Sequence, residues 1–268
     1  MRSRAANALL LLTLITASLP AYAADPIGAI KREVVRDLGD ARSIATEPTR
    51  WDHRRWIRFA EGAALVAVVS LADRRTSEIV QANRNDATDR FADFVTPFGG
   101  GRATQVSALL ILAGAASGHH NLRDAGRDAL ESEVFAVGVL TPLLKRTIGR
   151  ARPFQALGAS SLHPFDNRYD SFPSGHATNA FAFATAVAGH YDGWAVPTLM
   201  YTLATSVAAA RVNDNVHFVS DVVAGALIGR AMAKGVLARH HTRANLAWQA
   251  VPLAERGRYG VVVHIELR

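Results

Sequence analysis

What most limits the fold of this chain is a series of apolar, alanine-rich runs, each about as long as one helix and each closed by charge or by a turn. They are Gly62 to Ala72, Ala103 to Gly118, Val134 to Leu144, Ala177 to Gly189, Gly193 to Ala210 and Val219 to about Leu237. The pattern predicts a mainly α protein, a single helical bundle domain of about six core helices. Spanning a bilayer takes about 20 predominantly apolar residues. Only Gly193 to Ala210 stays uncharged over a comparable length, and it is rich in alanine and threonine with Pro197 inside. The runs therefore read as buried helices of a bundle. Membrane-embedded helices are the alternative, because functional ones carry polar residues toward a bundle interior.

The ends of the chain differ in kind from this middle. Met1 to Ala23 has the charged start (Arg2, Arg4), apolar stretch (Ala8 to Leu19) and small-residue end (Ala21-Tyr22-Ala23) of a secretory signal peptide. An uncleaved anchor is the competing reading. In the tail, Val261, Val263, Ile265 and Leu267 alternate with Val262, His264, Glu266 and Arg268, and Arg256-Gly257 to Gly260 supplies turn chemistry. This predicts a terminal β-hairpin. The expected division is a signal peptide over 1–23, a helical domain over 24–245 and a hairpin tail over 246–268. The product is an exported, periplasmic protein, or alternatively an integral or peripheral inner-membrane protein whose site faces the periplasm.

Between leader and bundle, Asp25 to Arg55 reads as one short helix and an irregular approach. Trp51 and Trp56 suit either a membrane surface or the commoner fate of core or rim packing. From Gly62 to about Asp93 the pattern predicts two helices with a loop between them, then a turn at Pro97 to Gly101. Periodicity disappears from Gln155 to Phe172. A long structureless connection of that kind is either a substrate-facing loop or a plain linker.

At 268 residues and 49% hydrophobic content the chain can bury one sizeable core. There is no cysteine, which removes disulfides and thiolate metal sites. The formal charge of +7, or about +5 without Arg2 and Arg4, favours anionic partners. Phosphates and anionic lipids qualify. Nucleic acid does not, because the basic residues are scattered and no aromatic-basic platform accompanies them.

Three clusters carry chemistry. Lys145, Arg146, Arg150 and Arg152-Pro153 close an apolar run. A compact ammonium and planar guanidinium forks can clamp phosphate oxygens, although a basic helix end is often only dipole compensation. Pro173-Ser174-Gly175-His176 directly precedes the run from Ala177. Serine can cap a helix there, glycine lets a ligand approach the backbone, free amides face an anion, and the histidine can protonate a departing alkoxide. Ser-Gly before a helix is also ordinary capping. In the third cluster Arg211 precedes His217 and Asp221. If a helix starts at Asn213 to Asn215, His217 and Asp221 stand at i and i+4 on one face. The carboxylate would then fix the tautomer and leave the other ring nitrogen free to attack, or the pair is only a helix stabiliser.

In their order and spacing these blocks resemble the type 2 phosphatidic acid phosphatase and vanadium haloperoxidase superfamily. That family's pattern is Lys-x6-Arg-Pro, Pro-Ser-Gly-His and Ser-Arg-x5-His-x3-Asp. The chain matches at Lys145, Arg152, Pro153, Pro173 to His176, Arg211, His217 and Asp221, over a motif core of 145–230, and departs at Ala210, where the family usually has serine. The resemblance implies a phosphatase acting through a phosphohistidine on a phosphomonoester or lipid (pyro)phosphate. His217 would be the nucleophile, Asp221 its orienting carboxylate and His176 the acid and base. Lys145, Arg152, Arg211, Ser174 and the Gly175 amide would bind phosphate. No metal or other cofactor is implied, and the remaining histidines, including the His119/His120 and His240/His241 pairs, read as surface or helix-end residues. A vanadate-dependent haloperoxidase and a non-catalytic anion- or lipid-binding protein are the alternatives on the same scaffold.

Overall fold

The structure, a computed structural model, describes residues 46–244, 246–255 and 258–267; the predicted signal peptide and the start of the 25–55 approach lie outside them. A 3-10 turn at Glu47–Arg50 leads into α1 (His53–Ser70), α2 (Asp73–Ala82) and α3 (Asp86–Val95). A second, Thr96–Gly99, precedes α4 (Gly101–Ser117). Helix α5 (His120–Glu133) passes through a π-helical stretch, Val134–Leu140, into α6 (Thr141–Ile148). After a long loop come α7 (Gly175–Ala188), α8 (Ala195–Asn213) and α9 (Val219–Ala244). Strands β1 (Leu246–Glu255) and β2 (Arg258–Leu267) then pair antiparallel, with Leu246 opposite Leu267. The architecture is mainly α.

Local chemistry sets the boundaries. The Asp52 carboxylate accepts from the Arg55 N–H at 2.8 Å and opens α1. Asn85 and Thr88 form a capping box at the start of α3. Gly118 and Gly149 close α4 and α6 at φ of 74° and 58°, a conformation that side chains avoid.

Several expectations change. The stretch from Gly62 to Asp93 contains parts of three helices, because α1 begins back at His53 and the Asn85 box starts a new helix at Asp86. The run Val134 to Leu144 is not a helix of its own but the middle of a rod beginning at His120. Its first part escapes the periodicity because Asp128, Ser132 and Glu133 are buried beside Ala125, Ala129 and Leu130. Helix α9 continues past Leu237 to Ala244. His240 is not simply a surface histidine: its Nδ1 lies 2.5 Å from Asp128, which also meets His190 Nε2 at 2.8 Å, so α9 is tied to α5. Trp51 and Trp56 pack edge-on at 5.0 Å with Phe59 alongside, and Trp56 is 49% exposed, so this aromatic cluster is not core. Among the described residues no helix is long and apolar enough to cross a membrane.

Helix α7 is the central element, packed against α9, α8 and α5. Its buried positions include Ala177, Ala180, Ala182, Ala184 and Ala186 around the helix, and the side toward α9 is formed by Ser174, Thr178 and Ala182. Opposite it, Gly225 and Gly229 stand one helical turn apart on α9. A Cβ at Gly225 would lie 2.6 Å from the Ser174 carbonyl oxygen, and one at Gly229 would lie 2.2 Å from that of Thr178. Close approach of the two backbones therefore requires glycine at both positions, and it sets the N-terminus of α7 beside that of α9.

Gly229→Ala is expected to lower the unfolding free energy by about 1–3 kcal/mol, the usual cost of overpacking. Gly138→Ala, where a Cβ meets nothing within 4 Å, is the control and should be neutral or slightly stabilising. Urea denaturation of both variants checks this.

Candidate active site

The two abutting helix ends define the site. Ser174 caps α7, its buried Oγ accepting from the Ala177 N–H, and its own N–H donates to the Asp221 carbonyl oxygen at 3.0 Å. Gly175 and His176 form the first turn of α7. A Cβ at Gly175 would meet nothing nearer than Thr141 Cγ2 at 3.7 Å, so the protein's own packing does not demand glycine there. Arg211 stands in the last turn of α8, and its carbonyl oxygen accepts from the His217 N–H at 3.3 Å across the connecting turn. Lys145 and Arg152 arrive from α6 and the loop after it.

The expected relation between His217 and Asp221 is corrected in one respect. Asn213 ends α8, Asn215 is a turn residue at φ 59°, and α9 begins only at Val219. His217 therefore lies in the turn before the helix, and Asp221 reaches back to it from the first helical turn. One oxygen of Asp221 accepts from Ser171 Oγ at 2.6 Å and from the Phe218 N–H at 2.9 Å; the other accepts from Arg150 Nη1 at 2.6 Å. His217 Nδ1 stands 3.6 Å from Asp221 Oδ2, an electrostatic contact short of a hydrogen bond.

Burial governs the electrostatics. His217 is 3% exposed and Asp221 0%. Burial, only partly offset by Asp221, pushes the His217 ring down to about 4. His176 is also pushed down to about 4, by burial first and then by Arg211, His217, Lys145 and Arg152. For Asp221 burial acts upward, but contacts with His217, Arg150 and Ser171 outweigh it and hold the group below its ordinary range. Burial lowers Lys145 to about 8 and also lowers Arg211. The result is a pair of neutral imidazoles enclosed by three cationic side chains, a field matched to a multiply charged anion.

Lys145, Arg152, Arg211, His176 and His217 thus converge on one another, while Ser174 and Asp221 sit just behind them, fully buried. Ala210 belongs to the apolar cluster with Ala92, Val95, Ala180 and Val207, a packing role that its methyl fills. Sequence reasoning missed Asp170. Arg152 donates to both Asp170 oxygens at 2.7 and 2.9 Å, and Lys145 Nζ donates to the Asp170 carbonyl oxygen. It also missed Asp73, Ser171 and Ser220, which carry no local motif. Arg150 lay within the quoted basic cluster but had no role assigned. Among the described residues no group of three or more His, Asp or Glu is placed to hold a metal ion.

Residues 130–245 match the family model described as PAP2 superfamily. A protein named lipid A 1-phosphatase from Rhizobium etli is 31% identical over 193 residues, 65% of this chain and 82% of that protein. One of the same name from Rhizobium johnstonii is 38% identical over 126 residues, covering 44% and 51%. Among solved structures, the transmembrane PAP2-type phosphatidylglycerolphosphate phosphatase from Bacillus subtilis superposes with a TM-score of 0.52 at 22% identity, over 74% of this chain and 98% of that one. The last comparison speaks to the fold.

The two histidines make stability depend on pH. Each is held neutral in the fold, near 4, against an ordinary value of 6.5. Their contribution is complete above 6.5 and is lost as pH falls through 6.5 toward 4, because the unfolded chain takes up the protons first. Urea midpoints should therefore drop between pH 7 and pH 4.5, and less steeply in His217→Gln.

Proposed function

The chain belongs to the PAP2 superfamily, and from that premise we propose that it hydrolyses a lipid phosphate through a phosphohistidine. The observation that carries this reading is the enclosure of two neutral, buried histidines by Lys145, Arg152 and Arg211. A neutral imidazole is a nucleophile; a protonated one is not. The cations and the amides at the start of α7 stabilise charge on the equatorial oxygens of the phosphoryl group.

In the first step the free Nε2 of His217 bonds to phosphorus as the bond from phosphorus to the ester oxygen breaks. Asp221, facing Nδ1 at 3.6 Å, stabilises the charge that the ring acquires. The departing oxygen takes a proton from His176. His176 takes up that proton from solvent before the step, when the bound phosphate dianion raises the basicity of a ring otherwise held low by burial and the surrounding cations, and it is left neutral afterwards. In the second step His176 accepts a proton from water, the water oxygen bonds to phosphorus, and the phosphorus–nitrogen bond breaks to release inorganic phosphate. Ser174 acts by fixing the first turn of α7, and Gly175 by leaving room for the ligand.

The relatives support the substrate class: two proteins named lipid A 1-phosphatase are 31% and 38% identical to the aligned parts of this chain, and we assign a lipid phosphate of that kind here. The Bacillus subtilis neighbour is described as transmembrane. A site on the outer side of the inner membrane, reached after export, fits a lipid substrate and the signal-like start of the chain.

His217→Ala should lower kcat by at least about a thousandfold and His176→Ala by about 100- to 10,000-fold. Activity should persist in chelator and fall with vanadate. Phosphate release from lipid A, phosphatidic acid and a soluble phosphomonoester, with acid-quench trapping of labelled enzyme, checks this. Full activity in His217→Ala would overturn the mechanism.

A further inference from the structure

Arg150 is a guanidinium almost sealed from water, 5% exposed, and it is the meeting point of three parts of the chain. Its Nη1 donates to Asp221 Oδ1 at 2.6 Å and to Ser220 Oγ at 2.7 Å, both on α9. Its Nη2 donates to Asp73 Oδ2 at 2.7 Å, at the start of α2. Nη2 and Nε both donate to the Ala159 carbonyl oxygen in the loop, at 2.5 and 2.9 Å. The guanidinium carbon lies 4.5 Å from the centre of the Phe218 ring. Asp73 is itself fully buried and accepts from the Ser220 N–H at 2.9 Å and from Ser220 Oγ.

We infer that Arg150, with Asp73 as its counter-charge, is a positioning residue that holds the Asp221 carboxylate in the orientation in which it faces His217. This rests on the role proposed above for His217. The geometry explains why the arrangement needs both charges. Without Arg150 the Asp221 carboxylate would be held from one side only, by Ser171 and the Phe218 N–H, and could turn away from the orientation in which it faces Nδ1, misaligning the ring. Arg150 engages one oxygen, while Ser171 and the Phe218 N–H engage the other, and the carboxylate is thereby fixed facing His217 Nδ1 at 3.6 Å. Asp73 accepts from Nη2, a buried donor that Asp221 does not meet, and so holds the guanidinium between α2 and α9. Neither Arg150 nor Asp73 reaches the phosphate clamp. They act through Asp221, as outer partners of a ligating side chain do elsewhere.

The groups facing His217 are Lys145 from α6, Arg152 and Asp170 from the loop, His176 from α7, Arg211 from α8 and Asp221 from α9. Substitution at 150 or 73 replaces none of these groups and acts on His217 through Asp221, so the two changes make opposite and separable demands. Removing the positive charge, Arg150→Gln, leaves the charge of Asp221 less offset and should raise the ring's titration midpoint. Removing the negative charge, Asp73→Asn, leaves Arg150 wholly to Asp221 and should lower it.

The test is titration of the His217 imidazole by NMR in the full chain, assigned by its loss in His217→Gln, for wild type, Arg150→Gln, Arg150→Lys and Asp73→Asn. Midpoint shifts of about one unit upward and about half a unit downward are expected, with Arg150→Lys nearer wild type. In parallel, kcat should fall about 10- to 100-fold in Arg150→Gln with KM changed less than about threefold, and Arg150→Lys should recover part of the loss. Circular dichroism tells whether each variant folds. If Arg150→Gln does not, Arg150→Lys and Asp73→Asn carry the comparison. An unmoved His217 midpoint in the folded variants would reduce the network to a structural cross-link and overturn the inference. So would a rise in KM at constant kcat, which would place Arg150 on the substrate. The NMR midpoint is read whether or not His217 is the nucleophile, so failure of the phosphohistidine mechanism is scored separately.

Discussion

A carboxylate with no access to water must be met by donors on every side, and Asp221 is the group around which that demand is organised. Its oxygens draw in Ser171 from the loop, the Phe218 amide from the turn and Arg150 from beyond α6, while its backbone carbonyl receives the Ser174 amide from α7. One residue thus fixes the positions of four segments. The cluster brings its own complications: Arg150 has a further buried donor, Nη2, that Asp73 meets, which brings the start of α2 into the network.

In front of this network the charge balance reverses. The clamp carries Lys145, Arg152 and Arg211, and the residues that moderate them are less buried than Asp221. Asp170 is paired with Arg152 at a side-chain exposure of 43%, and Asp214 with Arg211 at 24%. Half-buried pairs of this kind are held less firmly than a fully sealed one. The carboxylates behind His217 are therefore locked, whereas those beside the cations are within reach of solvent. Placement within one fold separates two uses of the same functional group.

Much of this was legible in the sequence, and what was not has a common cause. Lys145, Arg152, the Pro173 to His176 turn, Arg211, His217 and Asp221 stand at spacings that local chemistry explains, and the structure brings them together. The helix over Ala103 to Gly118 ends where its glycine said it would. By contrast, Arg150 reads as one more basic residue until Asp73 and Asp221 are seen beside it, separated from it by 77 and 71 positions. Helix α5 was hidden because buried Asp128 and Glu133 interrupt the apolar pattern that betrays a helix. Glu133, pushed up to about 7 by burial, is met there by the Thr104 and Ser107 hydroxyls. Periodicity reports polarity, and it misleads wherever a polar group is buried with its partner.

The close contact of α7 with α9 has one more consequence, and it concerns entropy. Where the two helices touch behind the site, Gly225 and Gly229 lie against Ser174, Thr178 and Ala182, and glycine and alanine have no side-chain torsions to freeze when the chain folds. Most cores gain their rigidity by locking many rotamers at a free-energy cost; here two backbones touch directly and there is little left to lock. The frame that holds the two histidines apart is stiff because it contains almost nothing that can rearrange. Thermal motion in the site should accordingly come from its long charged side chains and its loop, with the helix ends as a fixed reference.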